Sequence, residues 1–429
     1  MSHQLILNNL DENTLTNIEK DLCIHPEKNK YSQITPEPIY AYAFNDKYVY
    51  IPFYYGNSAA KRRERKEFDE IKVVFQGTPR PEQKEVQKEA IACLNKKGSV
   101  IISAYPAFGK TFLSLWVATK IKLKTMIIIH RIVLIKQWVK SIEQFCPGSI
   151  VQVIEGKTEI DTKADFFVMN PANVSKHGFM PFIGFLIVDE AHLIMAEKLS
   201  ECMRYFSPRY LLGLSATPYR KDGLNALFDL YFGPERIYRE LWRHHTVYTL
   251  NTNFIPEVKT NKQGRVDWGS LLESQGMNEK RNGMIVKIIK TFPKRVFLVL
   301  CKRVEQAKIL IEKLRDEKED VTYLYGTRQD YEQTSRILVG TTGKVSVGFD
   351  HPKLDSMILA TDIEGYFLQV LGRIFRNPHS RPMIFDIIDK NPLLFRHFIT
   401  RKNTYLKHGG ELKDFKTSFP DFPIPDFSE

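Results

Sequence analysis

Apolar positions fall into two rhythms along the chain. From about residue 76, short apolar runs alternate with longer amphipathic stretches. The runs Val100–Ser103, Thr125–Ile129, Phe185–Asp189 and Leu211–Ser215 predict strands covered on both faces. Helical stretches lie between them, which predicts a parallel sheet with helices on both sides. A second series begins near residue 276, with strand candidates Val296–Leu300, Val321–Tyr325, Ile337–Gly340, Ser356–Ala360 and Met383–Ile387. Between the two series, Asn251-Thr-Asn, Asn261-Lys-Gln-Gly and Asp267-Trp-Gly break the pattern and predict a connecting segment. The opening residues behave differently. Tyr40-Ala-Tyr-Ala-Phe44 and Tyr48–Tyr55 alternate aromatic with small or polar residues, which predicts two strands joined at Asn45-Asp46. The closing stretch Phe419–Phe427 carries three prolines and reads as irregular. The expected architecture is α/β. It has a small N-terminal β-containing domain (1–75), a first parallel-sheet domain (76–245), a connecting segment (246–275), a second such domain (276–410) and an irregular tail (411–429).

Charge adds a partner class. Lys and Arg number 62 against 50 Asp and Glu, a net charge of +12, and such a surplus favours polyanions. The run Lys61-Arg-Arg-Glu-Arg-Lys66 reads equally as a solvated linker or as an arm contacting phosphates. The five cysteines, Cys23, Cys93, Cys146, Cys202 and Cys301, lie far apart without metal-ligand spacing, as expected of reduced thiols in an intracellular protein. The start Met1-Ser-His-Gln has neither the basic flank nor the apolar stretch of a secretory signal. No apolar run is long enough to span a bilayer, so no membrane role is expected.

Two stretches carry chemistry. Ser103-Ala-Tyr-Pro-Ala-Phe-Gly-Lys-Thr111 follows an apolar strand and opens a helix. That layout aims backbone N–H groups and the helix dipole at an anion. Lys110 can reach the β- and γ-phosphates of a nucleotide, and the Thr111 hydroxyl can sit on Mg²⁺. The glycine that usually opens such a loop is Ala104 here, and Gly109 is the loop's remaining glycine; an ordinary strand–helix turn is the competing reading. The second stretch, Phe185-Leu-Ile-Val-Asp-Glu-Ala-His192, ends an apolar strand in two acids. Asp189 can hold Mg²⁺ through its water shell, and Glu190 can polarise an attacking water. The competing reading is a pair of surface acids capping the next helix. Lys110, Asp189 and Ser215 all fall at carboxyl ends of expected strands, where ligands of parallel sheets bind.

Asp189-Glu-Ala-His192 resembles the DEAH box of superfamily 2 helicases. Gly213-Leu-Ser-Ala-Thr-Pro218 resembles their motif III, and Arg220-Lys-Asp-Gly223 extends the likeness toward DNA-acting members. Arg80-Pro-Glu-Gln83 is similar to the adenine-reading element, since Gln can make paired hydrogen bonds to an adenine edge. Ile127–Trp138 resembles motif Ia, with His130 where proline is usual, and Asn170-Pro171 stands where relatives often touch the strand. Ile337–Thr341 through Gly348-Phe-Asp350 looks like motif V, with Val347 where Glu or Arg is frequent. Gln369-Val-Leu-Gly-Arg-Ile-Phe-Arg376 is similar to motif VI.

The resemblance covers about residues 78–405 and points to compact helicases of large DNA viruses and phages, of the poxvirus transcript-release type, and more distantly to the XPB type. It implies two tandem RecA-like domains with ATP and Mg²⁺ in the cleft between them. Lys110, Asp189, Glu190, Gln369, Arg373 and Arg376 would be catalytic. The two arginines lie one helical turn apart, and a guanidinium from a second domain stabilises a phosphoryl transition state. Arg80, Gln83, Gly109, Lys110, Thr111, Gly348 and Asp350 would bind nucleotide, with Thr111 and Asp189 on the metal. His192, Ser215 and Thr217 would couple the site to a strand held by Arg131, Asn170 and Thr341. The implied activity is an ATP-dependent DNA helicase or translocase of viral transcription, replication or repair. Displacement of bound proteins without unwinding, and an RNA helicase, are the alternatives. Expected partners are single-stranded or duplex DNA, or RNA, with transcription or replication proteins; the expected location is intracellular, a viral factory or virion if the source is viral.

Overall fold

The apolar runs become strands of two parallel sheets. The computed structural model describes residues 3–26, 37–59, 62–105, 108–195, 200–216, 225–260, 266–328, 330–345, 351, 353–363, 367–375 and 380–427. These group into two units, Met1–Arg239 and Glu240–Glu429.

The first unit begins with short strands β1 (His3–Ile6), β2 (Cys23–Ile24), β3 (Ile39–Tyr40), β4 (Ala43–Phe44) and β5 (Tyr48–Ile51). β5 pairs antiparallel with β1 and β4, and β2 pairs antiparallel with β3. The expected turn at Asn45-Asp46 is present, with the Asn45 side chain accepting from the N–H groups of Lys47 at 3.0 Å and Tyr48 at 2.7 Å. The second expected strand stops early, because Phe53–Ala59 is a helix. Its Phe53 is fully buried, and the helix packs on helix Asn225–Phe232. The opening segment therefore shares one core, including Val49, Ile51, Phe53, Ile101, Phe228 and Phe232, with the sheet that follows. Its few short strands do not bury enough apolar surface to stand alone.

Two arginines of the basic run are tied to the domain rather than solvated, while the Lys66 side chain is 82% exposed. Arg62 donates to the carbonyls of Leu94 at 3.2 Å and Asn95 at 3.1 Å, at the end of helix Pro81–Lys97. Arg63 donates to Pro181 O at 2.8 Å and Ser207 O at 3.0 Å, and Arg65 pairs with Glu70 at 2.9 Å. The arginines strap the segment to the domain. Lys61 lies outside the described residues.

The first large sheet comprises β6 (Ser99–Ala104), β7 (Thr125–Ile129), β8 (Val151–Ile154), β9 (Phe166–Met169), β10 (Phe185–Asp189), β11 (Tyr210–Ser215) and β12 (Arg236–Arg239). All are parallel, in the order β12-β6-β11-β10-β7-β9-β8. The central strands β6, β7, β10 and β11 are buried at every position, which is why they read as continuous apolar runs.

The second unit repeats the plan with β13 (His245–Asn251), β14 (Phe297–Cys301), β15 (Val321–Leu324), β16 (Ile337–Thr341), β17 (Ser356–Leu359), β18 (Met383–Ile388) and β19 (Gly410–Asp414). These are again parallel, in the order β15-β16-β14-β17-β18-β13-β19. Two expectations are corrected here. The proposed connecting segment contains β13 and helix Trp268–Met277, because β13 pairs with β18 along its length. The proposed irregular tail contains β19 and helix Phe415–Ser418, which puts Phe415 fully in the core. Phe419 and Phe422 pack on it with ring centroids 4.9 and 5.0 Å away.

A buried ion cluster fastens helix Pro392–Lys407 to this sheet. Arg401 donates to both oxygens of Asp386, at 2.9 and 2.8 Å, and to Asp362 at 2.8 Å. The Tyr405 hydroxyl donates to Asp386 at 2.9 Å. Asp386→Ala leaves Arg401 buried without its main counter-charge. The expected loss is about 3–5 kcal/mol of unfolding free energy, read from the urea midpoint of the second unit's transition. An unchanged midpoint would show that the cluster does not stabilise the unit.

No helix among the described residues is long and apolar enough to cross a membrane.

Candidate nucleotide site

Three neighbouring strands of the first unit, β6, β11 and β10, end side by side and deliver the candidate residues. After β6 the chain turns into helix Lys110–Ile121, with Gly109 as its N-cap at φ 90°. A Cβ at Gly109 would lie 2.5 Å from the Gln83 side-chain nitrogen, so conformation and space both require glycine there. Ala104, at the position that usually carries glycine, is the last buried residue of β6. Lys110 folds back over the loop, its Nζ donating to Ala104 O at 2.9 Å. Thr111 follows in the first helical turn, half-buried. Pro106 and Ala107 lie outside the described residues.

Arg80 and Gln83 bind the loop itself. Gln83 Nε2 donates to Phe108 O at 2.7 Å, and Arg80 Nη2 donates to the same oxygen at 2.5 Å. Gln83 Oε1 accepts the Arg80 backbone N–H at 2.9 Å. Each end of the Gln83 amide thus makes one bond within the protein and keeps a second hydrogen-bond position.

Asp189 ends β10 almost fully buried. Its Oδ2 accepts from Trp138 Nε1 at 2.8 Å and its Oδ1 from the Glu190 N–H at 3.0 Å. Burial, followed by the charge of Glu190, holds its carboxyl above the usual range, while the Trp138 hydrogen bond and the charge of Lys110 act the other way. Glu190 has φ 47°, a left-handed backbone rare for a residue with a side chain. Strain of this kind costs about 1–3 kcal/mol and gathers at functional sites. Its Oε2 is buried with no hydrogen bond among the described residues. The same oxygen lies 3.4 Å from His192 Nδ1, and that nitrogen is 3.0 Å from Ser215 Oγ at the end of β11. Glu190, His192 and Ser215 therefore form a continuous polar line across two strand ends. Thr217 lies outside the described residues.

The donor set fits a hard divalent cation. A buried carboxylate and a helix-start hydroxyl are oxygen ligands, and Mg²⁺ takes one or two carboxylates plus nucleotide phosphates and water. Among the described residues no cluster of three or more His, Cys, Asp or Glu side chains could cage a metal unaided.

The candidate strand contacts divide. Arg131 caps helix Ile132–Phe145 after β7 and is half-buried. Asn170, after the neighbouring β9, donates to Ile129 O at 3.1 Å and His130 O at 2.7 Å, and accepts from the Ala172 N–H at 3.0 Å. Its side chain clasps the loop and caps a helix instead of reaching outward. In the second unit, Thr341 ends β16 nearly buried and Arg373 is half-buried on helix Phe367–Ile374. Gly348, Asp350, Arg376 and the Gln369 side chain lie outside the described residues, as does Arg220–Gly223. Trp138 was not singled out from the sequence. The available signal was an aromatic on the buried side of an amphipathic helix, whose indole N–H must find a partner.

Residues 76–220 match the family model "Type III restriction enzyme, res subunit". Putative helicase 161L of Invertebrate iridescent virus 6 is 37% identical over 97% of this chain and 100% of its own. Putative helicase 055L of Frog virus 3 is 30% identical over 86% of each chain. Among solved structures, S. cerevisiae Dbp5 bound to RNA and ADP BeF3 superposes with a TM-score of 0.57 at 13% identity, covering 78% of this chain and 90% of that one. This last likeness is one of fold.

Proposed function

The chain belongs to the superfamily 2 helicases, a family of nucleic-acid-dependent ATPases, and from that premise we propose that it hydrolyses ATP to move along a DNA strand. The observation that carries this reading is the polar line of Glu190, His192 and Ser215 at the ends of β10 and β11, next to Asp189, whose carboxyl feels the charge of Lys110.

The proposed chemistry follows from these positions. Lys110 exchanges its bond to Ala104 O for the β- and γ-phosphates when nucleotide enters. Thr111 and Asp189 would hold Mg²⁺, which neutralises charge on the transferring phosphoryl group. Glu190 orients the attacking water and accepts its proton at the buried Oε2. His192 then responds to the charge on Glu190 by a change in its ring position, which its hydrogen bond transmits to the Ser215 hydroxyl with no proton or charge transferred. Arg373 and Arg376, from motif VI, are proposed to act on the transition-state charge. Strand contacts are proposed to be mainly to phosphates, on the surplus of basic residues.

DNA is favoured over RNA by the residues Arg220-Lys-Asp-Gly223, which resemble an extension found in DNA-acting relatives. The test is ATP hydrolysis by the purified chain with no nucleic acid, single-stranded DNA, duplex DNA or RNA, across a salt series. The expected result is stimulation by DNA that falls steeply as salt rises. Stimulation by RNA alone would replace this reading with an RNA helicase. Strand-displacement measurements on the stimulating nucleic acid would then separate unwinding from protein displacement without unwinding.

A further inference from the structure

We propose that Trp138 is a positioning residue for the carboxylate of Asp189, and that through it helix Ile132–Phe145 ties the strand-binding side of the first unit to its metal site. This rests on reading Asp189 as the carboxylate that holds the nucleotide's divalent cation.

The indole of Trp138 is buried, with 3% of its surface exposed, and its N–H donates to Asp189 Oδ2 at 2.8 Å. The other oxygen of Asp189 is held by the Glu190 N–H at 3.0 Å. One donor on each oxygen fixes the plane of the carboxylate and leaves each oxygen a further lone-pair direction. A phenyl ring at 138 would fill most of the same space but would leave Oδ2 without its side-chain donor. Groups that orient a ligating carboxylate in this way commonly set metal affinity.

The helix that carries Trp138 starts beside Arg131, the proposed strand contact. Arg131 is its N-cap, and the preceding carbonyls of Ile129 and His130 are clasped by Asn170. Trp138 lies two turns further on, roughly 10 Å along the axis at the standard helical rise. Ile135, Trp138 and Ile142 make the buried stripe, whereas Ile132 and Val133 at the Arg131 end are exposed. The helix is therefore anchored at its Trp138 side and open at the end offered to a strand. A strand held there displaces the open end of the helix, which tilts about its anchored stripe and shifts the indole N–H against Asp189.

The test is a titration of Mn²⁺, followed by electron paramagnetic resonance, into the full chain saturated with a non-hydrolysable ATP analogue. Trp138→Phe is expected to weaken Mn²⁺ binding about 10- to 100-fold. Incorporating benzothienylalanine at 138 puts a sulfur in place of the N–H at nearly unchanged shape, and is expected to weaken binding equally. In the unaltered chain, single-stranded DNA is expected to change Mn²⁺ affinity, and in both variants this response is lost. Wild-type Mn²⁺ affinity in the sulfur analogue would overturn the proposal, because packing alone would then explain any effect of phenylalanine. An identical DNA response in the analogue would overturn the link to the strand side. Asp189→Asn separates the levels. If it abolishes tight Mn²⁺ binding while the Trp138 changes do nothing, only the role of Trp138 fails. If it leaves Mn²⁺ binding intact, the reading of Asp189 as the metal carboxylate fails first.

Discussion

Lys110→Ala is expected to reduce DNA-stimulated ATP hydrolysis by at least about 10²–10³-fold, the usual consequence of removing one preorganised donor from a developing oxyanion. The lysine stands at the first position of helix Lys110–Ile121, and its ammonium is positioned over the loop by Ala104 O at 2.9 Å. No other Lys or Arg stands between Ser103 and Lys120, so no neighbour in the loop can take its place. Truncation leaves the helix intact, because alanine is a strong helix former and the Gly109 N-cap is untouched. The fall should therefore appear in turnover and nucleotide affinity, with the melting temperature held. Hydrolysis at the wild-type rate would remove the phosphate loop from the proposed site and with it the reading of Asp189 and Glu190.

Glu190→Gln is expected to lower turnover by about 10²–10⁴-fold, the range of a general base, while ATP and DNA remain bound. Glutamine matches glutamate in size and adopts the same φ of 47° at equal cost, so folding is not the variable. What changes is that one oxygen becomes an amide nitrogen, which cannot accept a proton from water. Oε2 of Glu190 makes no hydrogen bond among the described residues and faces His192 Nδ1 at 3.4 Å. The substitution therefore also removes the charge to which His192 responds. Single-turnover hydrolysis and filter-bound ATP read the two effects separately. Rapid hydrolysis by the variant, or failure to retain ATP, would assign the base elsewhere.

The local pattern was enough for the two-sheet plan and for the strand–loop–helix around Gly109. Residues Thr125–Ile129 and Phe185–Asp189 form strands with the boundaries read from the sequence. A strand buried on both faces must be apolar throughout, and that requirement is visible in one dimension. Gly109, Lys110, Asp189 and Glu190 could be picked out for a related reason: Asp189 and Glu190 sit at the end of such a run and Gly109 and Lys110 in the loop and helix start that follow another, and the carboxyl end of a buried strand is where ligands of parallel sheets bind. Three of the four edge strands escaped, as did the inner strands β9 and β13. β8 contains Gln152, β12 begins and ends in arginine, and β19 carries Glu411, Lys413 and Asp414, because an edge is not sealed on every side and tolerates polar residues. Hydrogen-bond partners escaped as well. Arg62 and Arg63 cap carbonyls 32 to 144 residues away, Asn170 clasps a loop 40 residues earlier, and Trp138 meets an aspartate 51 residues later. Chain order carries the apolar periods that select strands and helices. Which donor meets which acceptor is settled only when the packed sheets bring distant segments within 3 Å, since a buried polar group must pair with whatever the fold places beside it.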